Sequence, residues 1–412
     1  MSSSSSLDEL EIFDPASYAR SGYPFEAWAR LREEAPVHWC ERTTGPHFWA
    51  ITKHEDICYI GKRPNEFLSA PMMILPNDLQ GAAVPENLLS MDNPKHRPMR
   101  KLISNRFTPN GMRKLHHDID TIAKEIIESV LAQGDEGEFD FVEKIAAPLP
   151  IAVIAWLLGV PREDWNKLFD WTNRIIGSAD PDFSVEGEDS NTTANNAIVE
   201  TFAYFGELID ERMKNPTDDL ISHLAHAEID GVKLGRMELL GYCGLIMAAG
   251  NETTRNATTG GMLAFIENPD QLQKLRAEPG LLSSAIEEVV RWTSPIIHFG
   301  RTAAQDCEIR GQRIEKGQHL ALFYPSANRD ADIFDAPERF RIDRNPNRHI
   351  GFGIGEHFCA GAHIARLEIQ MAYQYLLPQI EEIELTGPPA RLHSTFVGGI
   401  KRLPIRYRLK RA

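Results

Sequence analysis

The stretch Phe352-Gly-Ile-Gly-Glu-His-Phe-Cys-Ala-Gly361 holds one cysteine, Cys359, in a loop that contains three glycines. Glycine adopts backbone angles closed to other residues, so Gly353, Gly355 and Gly361 are predicted to bring backbone N–H groups close to the sulfur. An apolar segment with helical spacing follows, and the positive N-terminal end of a helix favours a nearby negative charge. The stretch therefore predicts a loop that holds Cys359 as a thiolate against a metal ion.

The same loop resembles the haem-binding signature of the cytochrome P450 family, F-G-x-G-x-H-x-C-x-G, and fills all six specified positions. A lone cysteine is more often a small buried hydrophobic residue, but six matched positions favour the haem site. The resemblance implies haem b with an axial thiolate from Cys359, and it places Phe352, Gly353, His357 and Gly361 around the cofactor. It also implies the P450 fold, a triangular helical prism with haem between a long central helix and the helix after the cysteine.

Composition excludes several other classes of protein. The 412 residues are 42% hydrophobic and 25% charged, as in an ordinary globular protein. The net charge of −15 disfavours nucleic-acid binding. Five scattered cysteines without a C-x-x-C pattern argue against zinc, iron–sulfur and disulfide frameworks, and predict a cytoplasmic location. We expect a disordered tail over residues 1–10, one catalytic domain over residues 11–412, a monomer, and no membrane anchor.

Hydrophobic periodicity predicts a mainly α protein with small separate β-sheets, the α+β class. The segments 37–39 and 48–52 are strand-like and predict one sheet. Alternation at Leu320, Leu322 and Tyr324, with a turn at Arg310–Gly311 before it, predicts a second sheet. Strands do not alternate with helices, which excludes a doubly wound sheet. Helical spacing predicts helices over 115–131, 151–158, 164–176 and 197–213, and the polar residues 177–196 predict a solvated loop.

A polar run interrupts a second informative segment. Residues 237–250 are almost all apolar and predict a core helix, and six polar residues follow directly. Polar groups inside a buried helix are costly unless they are paired, so such a run indicates a site. It resembles the family motif A-G-x-[DE]-T-T, which implies that Gly250 leaves room for O2, that the Thr253 hydroxyl bonds the Ala249 carbonyl and donates to the reacting oxygen, and that Glu252 relays protons. The alternative is a helix cap, at which one helix ends and another begins.

Further family motifs follow in order along the chain. Glu288 and Arg291 match E-x-x-R, which the resemblance reads as a buried network with Arg339. The haem carboxylates need cationic partners, and charge-assisted bonds from arginine suit them. The family positions for those partners are His96, Arg100, Arg301 and His349, with His357 as a fifth contact.

The segments that match family substrate contacts contain no arginine or lysine, so we expect a neutral, largely apolar ligand held by shape. The alternative is that these residues belong to the core. The predicted substrate-binding residues are Met72, Met73, Leu245, Ala248, Ala249, Ile296, Ile297, Phe396 and Val397. Residues 215–219 and 249–262 resemble the subgroup that hydroxylates steroid side chains and methyl-branched lipids, whereas residues 324–328 and 396–399 resemble terpineol-oxidising relatives.

The resemblance implies a monooxygenase that inserts one atom of O2 into a C–H bond, with electrons from NAD(P)H through ferredoxin reductase and ferredoxin. Glu356 departs from the pattern, because it places an acid on the face where an acidic ferredoxin would dock. Nearby basic residues that offset it are Arg97, Lys101, Arg106, Arg113, Lys114, Arg348 and Arg366. Two alternatives remain open, a peroxygenase driven by H2O2 and a haem sensor without catalysis.

Overall fold

The computed structural model describes residues 6–75, 86–104 and 112–410. Within these ranges the chain forms fourteen α-helices and fourteen short strands. The helices are α1 Pro15–Ser21, α2 Phe25–Glu34, α3 His54–Gly61, α4 His96–Ser104, α5 Met112–Leu131, α6 Pro148–Leu158, α7 Trp165–Ile176, α8 Ser190–Lys214, α9 Leu220–Ala225, α10 Arg236–Glu267, α11 Pro269–Ala277, α12 Leu282–Thr293, α13 Tyr324–Ala327 and α14 Ala362–Leu376. The strands are β1 Val37–Cys40, β2 Phe48–Ile51, β3 Phe67–Leu68, β4 Glu136–Asp140, β5 Glu228–Ile229, β6 Val232–Lys233, β7 His298–Ala303, β8 Cys307–Ile309, β9 Gln312–Ile314, β10 His319–Phe323, β11 Ile380–Leu385, β12 Ala390–Arg391, β13 Ile400–Arg402 and β14 Pro404–Leu409.

Helix α10 runs through the centre of the molecule for 32 residues. It begins at a cap where the Gly235 N–H donates to the Glu238 carboxylate at 2.9 Å. It contacts α6, α7, α8, α12 and α14, so apolar residues around most of its circumference are buried. The helix that carries the polar run is therefore fixed in position from several sides.

The predicted helices are confirmed; α5 and α6 each begin three residues earlier than predicted, and the start of α8 differs more. Helix α6 is buried around most of its circumference and ends at Gly159, whose φ of 71° gives the left-handed cap that favours glycine. Helix α8 begins at Ser190, seven residues before the predicted start. Its cap is Asp189, whose carboxylate accepts bonds from the Asn191 and Thr192 N–H groups at 3.0 Å. The predicted loop over 177–196 is therefore wrong in its last part, because a good cap lets a polar first turn become helical.

The predicted strands are present, but they are grouped into sheets differently from the prediction. Strands β8 and β9 form a hairpin whose turn has positive φ at Arg310 and Gly311, as predicted. Strand β10 pairs in parallel with β2, inside one five-stranded sheet of order β1-β2-β10-β7-β3. The predicted second sheet is therefore wrong for β10. Alternation identifies a strand, but its partner lies about 270 residues away in the chain and leaves no local signal.

Residues 6–10, the described part of the predicted disordered tail, are ordered in the structure. Ser6 caps a short 3-10 helix, Leu7–Glu9, by accepting a bond from the Asp8 N–H. Leu7 and Leu10 pack against the cluster that contains Trp28. Residues 6–10 therefore lie on the domain, because two apolar side chains in a polar segment suffice to bind it there. The serines at 2–5 lie outside the described residues.

Candidate active site

The cysteine loop turns at two glycines with positive φ, Gly353 at 70° and Gly355 at 77°. A Cβ atom at Gly355 would lie 2.0 Å from the Gly61 carbonyl oxygen, so the loop packs directly against the end of α3. Gly361 has an ordinary φ of −86°, which corrects the prediction that it needs a special backbone angle. Apart from its two chain neighbours, no described residue has an atom within 4 Å of a Cβ built at Gly361, so glycine there keeps open the space beside the cysteine.

Cys359 is held by the loop and by the start of α14. Its N–H donates to the Phe352 carbonyl at 2.9 Å, and its side chain is partly exposed. Burial raises the pKa of the thiol, while a hydrogen bond from the Gly361 N–H and the charges of Arg100 and Arg366 lower it. The bond from the Gly361 N–H favours the thiolate, as predicted for the loop, but burial outweighs it in the protein without a metal. A metal cation is the group whose charge deprotonates a thiol in such a place.

Four of the five predicted propionate contacts lie together near the cysteine loop. The rings of His96 and His357 stack with centroids 4.2 Å apart, and both ring nitrogens of the buried His96 lack a partner among the described residues. Arg301 is buried, and burial lowers its pKa. Arg100 donates to the Phe358 carbonyl at 2.5 Å. Burial lowers the pKa of Arg100, and the charge of a Cys359 thiolate raises it. Burial lowers the pKa of His357 to about 3, and the charges of Arg301 and His96 add to this effect.

This cluster fits the carboxylates of haem. Within the described ranges, Arg301 donates only to the Gly300 carbonyl, and neither it nor Arg100 forms an ion pair with a carboxylate. Buried cations need anionic or strongly accepting partners. The donors present, two guanidinium groups and the unpaired His96, are the groups that bind a pair of carboxylates.

His349 does not join this cluster. Its Nε2 lies 3.0 Å from the Glu287 carboxylate, and its Nδ1 accepts from the Gly351 N–H at 3.2 Å. Both ring nitrogens therefore have protein partners, Glu287 on α12 and the backbone of Gly351, which corrects the prediction of a propionate contact. Phe352 lies nearby, with the Arg366 guanidinium 4.4 Å from its ring centroid.

Glu287 gives a prediction for the dependence of stability on pH. Burial acts to raise its pKa, but hydrogen bonds from Arg366 and His349 outweigh burial and lower the pKa to about 2. A carboxylate with a depressed pKa stabilises the fold above its unfolded pKa of about 4.3, and this contribution disappears as the pH falls towards 2. We expect Arg366→Gln to lower the free energy of unfolding by about 1–2 kcal/mol at pH 6, given partial solvent screening.

Urea unfolding between pH 2.5 and pH 6 measures this effect. The difference between the wild type and Arg366→Gln should shrink steadily as the pH falls. Arg313→Gln, which breaks an exposed pair with Asp306, is the matched control and should show a small difference at every pH. A difference for Arg366→Gln that stays constant across the range would contradict the assignment to Glu287.

The predicted E-x-x-R network forms, with one member different. Arg291 makes two bonds of 2.7 Å to the Glu288 carboxylate, and both side chains are fully buried. The third cation is Arg344, which donates to Glu288 at 3.1 Å. Arg339 contributes only its backbone carbonyl and its side chain points to solvent, so its predicted role is wrong. Arg339 and Arg344 lie close together in one irregular segment well after α12. Only the folded turn decides which of the two side chains points inward.

The polar run lies inside the continuous helix α10, so the helix-cap alternative is wrong. The Thr253 hydroxyl donates to the Ala249 carbonyl at 2.8 Å, as predicted, and the Thr253 side chain is partly exposed. A Cβ atom at Gly250 would lie 2.3 Å from a carbon of Ile154. Gly250 thus permits close contact with α6, which accounts for this glycine without the predicted role in making room for O2.

Glu252 lies in a buried polar chain that the sequence only partly indicated. It pairs with Arg255, and Arg255 donates at 2.8 Å to Asn173 on α7. Burial raises the pKa of Glu252, and the charge of Arg255 opposes this. Asn251 and Asn256 are also buried without hydrogen-bond partners among the described residues. Buried polar atoms of this kind bind ordered water, so the chain is suited to moving protons. Arg255 and Asn256 stand in the polar run, but Asn173 carries no signal in the sequence.

The predicted substrate residues fall into two groups. On α10, Leu245 and Ala248 are partly exposed and Ala249 is exposed, although the helix is central. The second group surrounds the start of β7. In that group Met72, Met73, Ile296 and Phe396 are partly exposed, whereas Ile297 and Val397 are buried. For the two buried residues the core alternative is the better description, and the others keep accessible apolar surface.

Residues 17–409 match the family model described as Cytochrome P450. The methyl-branched lipid omega-hydroxylase of Mycobacterium tuberculosis is 37% identical over 390 residues, covering 92% of this chain and 90% of the relative. The steroid C26-monooxygenase of Mycolicibacterium smegmatis is 37% identical over 397 residues, covering 93% and 90%. A Mycobacterium marinum cytochrome P450 in complex with pseudoionone superposes with a TM-score of 0.90 at 33% identity, covering 98% and 100%.

The fold and the cysteine site thus belong to a haem-thiolate protein, and the chain is a member of the cytochrome P450 family. It is a cytochrome P450 monooxygenase, and its cofactor is haem, whose iron takes a cysteine thiolate ligand in this family. None of the helices in the described ranges has the length and apolarity that a membrane span requires.

Proposed function

We propose that this enzyme hydroxylates a C–H bond of a steroid side chain, branched lipid or terpenoid. Its reaction converts the substrate, O2, two electrons and two protons into the alcohol and water. The accessible apolar side chains on α10 and around β7 support this class, since shape and apolar contact select such ligands. The relatives named for steroid and methyl-branched lipid hydroxylation support it further. We also propose that residues 11–412 act as one catalytic domain and work as a monomer in the cytoplasm.

We assign Cys359 as the residue whose sulfur would bind the haem iron, and His96, Arg100, Arg301 and His357 as those that would hold the haem carboxylates. When bound, haem with a thiolate ligand supplies the activation of O2 and the oxidation of the C–H bond. The protein orients the substrate, excludes water and delivers protons. The accessible Thr253 hydroxyl beside the buried Glu252 carries the proposal of catalysis, because a sensor has no need of an acid and an alcohol one residue apart.

The proton path gives a prediction at Thr253. We expect Thr253→Ala to lower the amount of product per NAD(P)H by at least about tenfold. This is less than the full rate factor that positioned proton transfer usually contributes. NAD(P)H should still be consumed, with hydrogen peroxide released in place of product. Product and peroxide are measured together in one coupled assay.

Thr253→Ser retains the hydroxyl and should keep most of the product yield. Thr258 is the matched control, because its hydroxyl makes the same 2.8 Å bond to a carbonyl one turn back, on a buried face. Thr258→Ala should change stability and leave the ratio of product to NAD(P)H unchanged. An unchanged yield in Thr253→Ala would contradict the role assigned to its hydroxyl, whereas a wild type that forms product only with added H2O2 would favour the peroxygenase.

We further propose that the electrons arrive from NAD(P)H through a ferredoxin reductase and an acidic ferredoxin at the face of the cysteine loop. Glu356 is paired with Arg97 and accepts from Asn93 at 2.6 Å, so its charge is largely neutralised there. Arg366 is occupied by Glu287. The remaining described cations, Lys101 and Arg348, are exposed. The side chains of Arg113 and Lys114, like Arg106, lie outside the described residues.

We expect Lys101→Glu to raise the KM for ferredoxin by about two- to fivefold, the effect of one exposed charge pair. The effect should diminish at high salt, because exposed charges are screened. Lys233→Glu, an equal change of charge on the β5–β6 hairpin, is the control and should leave the KM unchanged. Equal effects of the two variants would mean that net charge, not a docking face, is responsible.

A further inference from the structure

The side chain of His298 joins two segments of the predicted substrate site. Its Nδ1 lies 2.8 Å from the Thr395 carbonyl, and its Nε2 accepts from the Leu75 N–H at 3.3 Å. The residue is fully buried at the start of β7. We name residues 72–75 the methionine segment and residues 394–398 the phenylalanine turn.

Both segments are also bonded to the same strand through the backbone. The Gly300 N–H donates to the Met73 carbonyl at 2.6 Å, and a Cβ at Gly300 would lie 2.4 Å from the Met72 carbonyl oxygen. On the other side, the Ile297 N–H donates to the Phe396 carbonyl at 2.8 Å. The start of β7 therefore lies between the methionine segment and the phenylalanine turn, and His298 is the side chain that bonds to both.

The two partners of His298 define its hydrogen positions. A carbonyl only accepts and a backbone N–H only donates, so Nδ1 must carry the hydrogen and Nε2 must be free of it. Glutamine or asparagine satisfies one of the two bonds but not both with this spacing. The ring also packs against Phe13 at 5.1 Å and Phe396 at 6.1 Å between centroids. A neutral histidine with one fixed tautomer is thus required.

We propose that His298 is a positioning residue that fixes the separation of the methionine segment and the phenylalanine turn, and that it thereby selects substrates by shape. Met72, Met73 and Phe396 present partly exposed apolar surface, so a change in their separation changes which apolar skeletons fit. This inference rests on the proposed function for the identity of the substrate site. Burial lowers the pKa of His298 to about 4, in agreement with a neutral ring.

Three variants separate the two bonds. His298→Gln places an acceptor near the Nε2 position, His298→Asn places a donor near the Nδ1 position, and His298→Leu offers neither. Hydrogen exchange of a peptide containing Leu75 should become at least about fivefold faster in the Asn and Leu variants and remain near wild type in the Gln variant. His319→Asn is the matched control and should change nothing, because the ring of this strand histidine bonds Thr302 and no other described residue.

The same variants are titrated with testosterone and with lauric acid, and the shift of the haem absorption band reports binding. The ratio of the two dissociation constants should change by about fivefold in the Asn and Leu variants, the effect of one neutral hydrogen bond. Unchanged exchange at Leu75, or faster exchange with an unchanged ratio, would overturn the proposal and leave His298 a purely structural residue.

If the variants do not fold, exchange in the wild-type holoenzyme decides. Testosterone should slow exchange in the methionine segment and the phenylalanine turn together, and slowing in only one of them would overturn the proposal. Failure of the proposed function is recognised separately, as absence of hydroxylated product from either ligand in the wild type, because the exchange measurements do not depend on turnover.

Discussion

Cys359→Ser should abolish product formation while leaving the protein folded. The serine hydroxyl has a far higher pKa than a thiol and does not supply a thiolate ligand to the haem iron. In the wild type, the reduced carbon monoxide complex should absorb at the strongly red-shifted position of thiolate-bound haem. In the variant, this band should move to the position typical of haem without a thiolate, and product should fall below detection.

The structure supplies the control for this experiment. Cys307 is a free, partly exposed cysteine on β8, in a hairpin away from the cysteine loop. Cys307→Ser should retain the red-shifted band and full product formation. Serine can also accept the bond that the Gly361 N–H gives to the side chain of Cys359, and the backbone N–H at 359 still supplies the bond to Phe352. A red-shifted band that persists in Cys359→Ser would mean that another group is the ligand, and the assignment of the active site would fall with it.

The elements that the sequence predicted well are those whose signal is local. The cysteine loop, the polar run and the E-x-x-R pair are each defined within ten residues, and the spacing of apolar residues defines most helices. Contacts between distant segments were not predictable in this way. Examples are the pairing of β10 with β2 and the bond from Arg255 to Asn173. The periodicity of a segment reports which face is buried, but not what it is buried against.

The same limit explains the individual residues that were assigned wrongly. Arg339 and Arg344 are five positions apart in one irregular turn, and either spacing is compatible with a bond to Glu288. His349 has a suitable side chain three residues before Phe352, but the fold directs it to Glu287. In both cases the residue type matched the expected chemistry, and the direction of the side chain was set by backbone angles that have no sequence pattern. His298 is the converse case, because it stands in a segment that matches family substrate contacts, but its two bonds become evident only in the folded structure.

The second large effect is expected on stability, at Glu288. Glu288→Ala would leave Arg291 and Arg344 buried without their carboxylate, and breaking a buried ion pair from one side costs about 3–5 kcal/mol. This loss is comparable to the whole stability of many domains, about 5–15 kcal/mol, so we expect little folded, haem-containing protein at 37 °C.

Glu34 provides the contrast, because it forms a pair with Arg30 on the exposed face of α2. Glu34→Ala should cost only about 0.3–0.5 kcal/mol, as an exposed pair one turn apart on a helix usually does. Urea unfolding of the two variants at 15 °C, followed by circular dichroism, compares the two costs directly.

The carboxylate of Glu288 also accepts bonds from the Arg341 N–H at 2.8 Å and from Asn347 at 3.1 Å. One acidic side chain therefore ties α12 to the segment that leads into the cysteine loop. A cost for Glu288→Ala no larger than that for Glu34→Ala would show that this segment is held by its backbone alone, and that the network does not support the haem site.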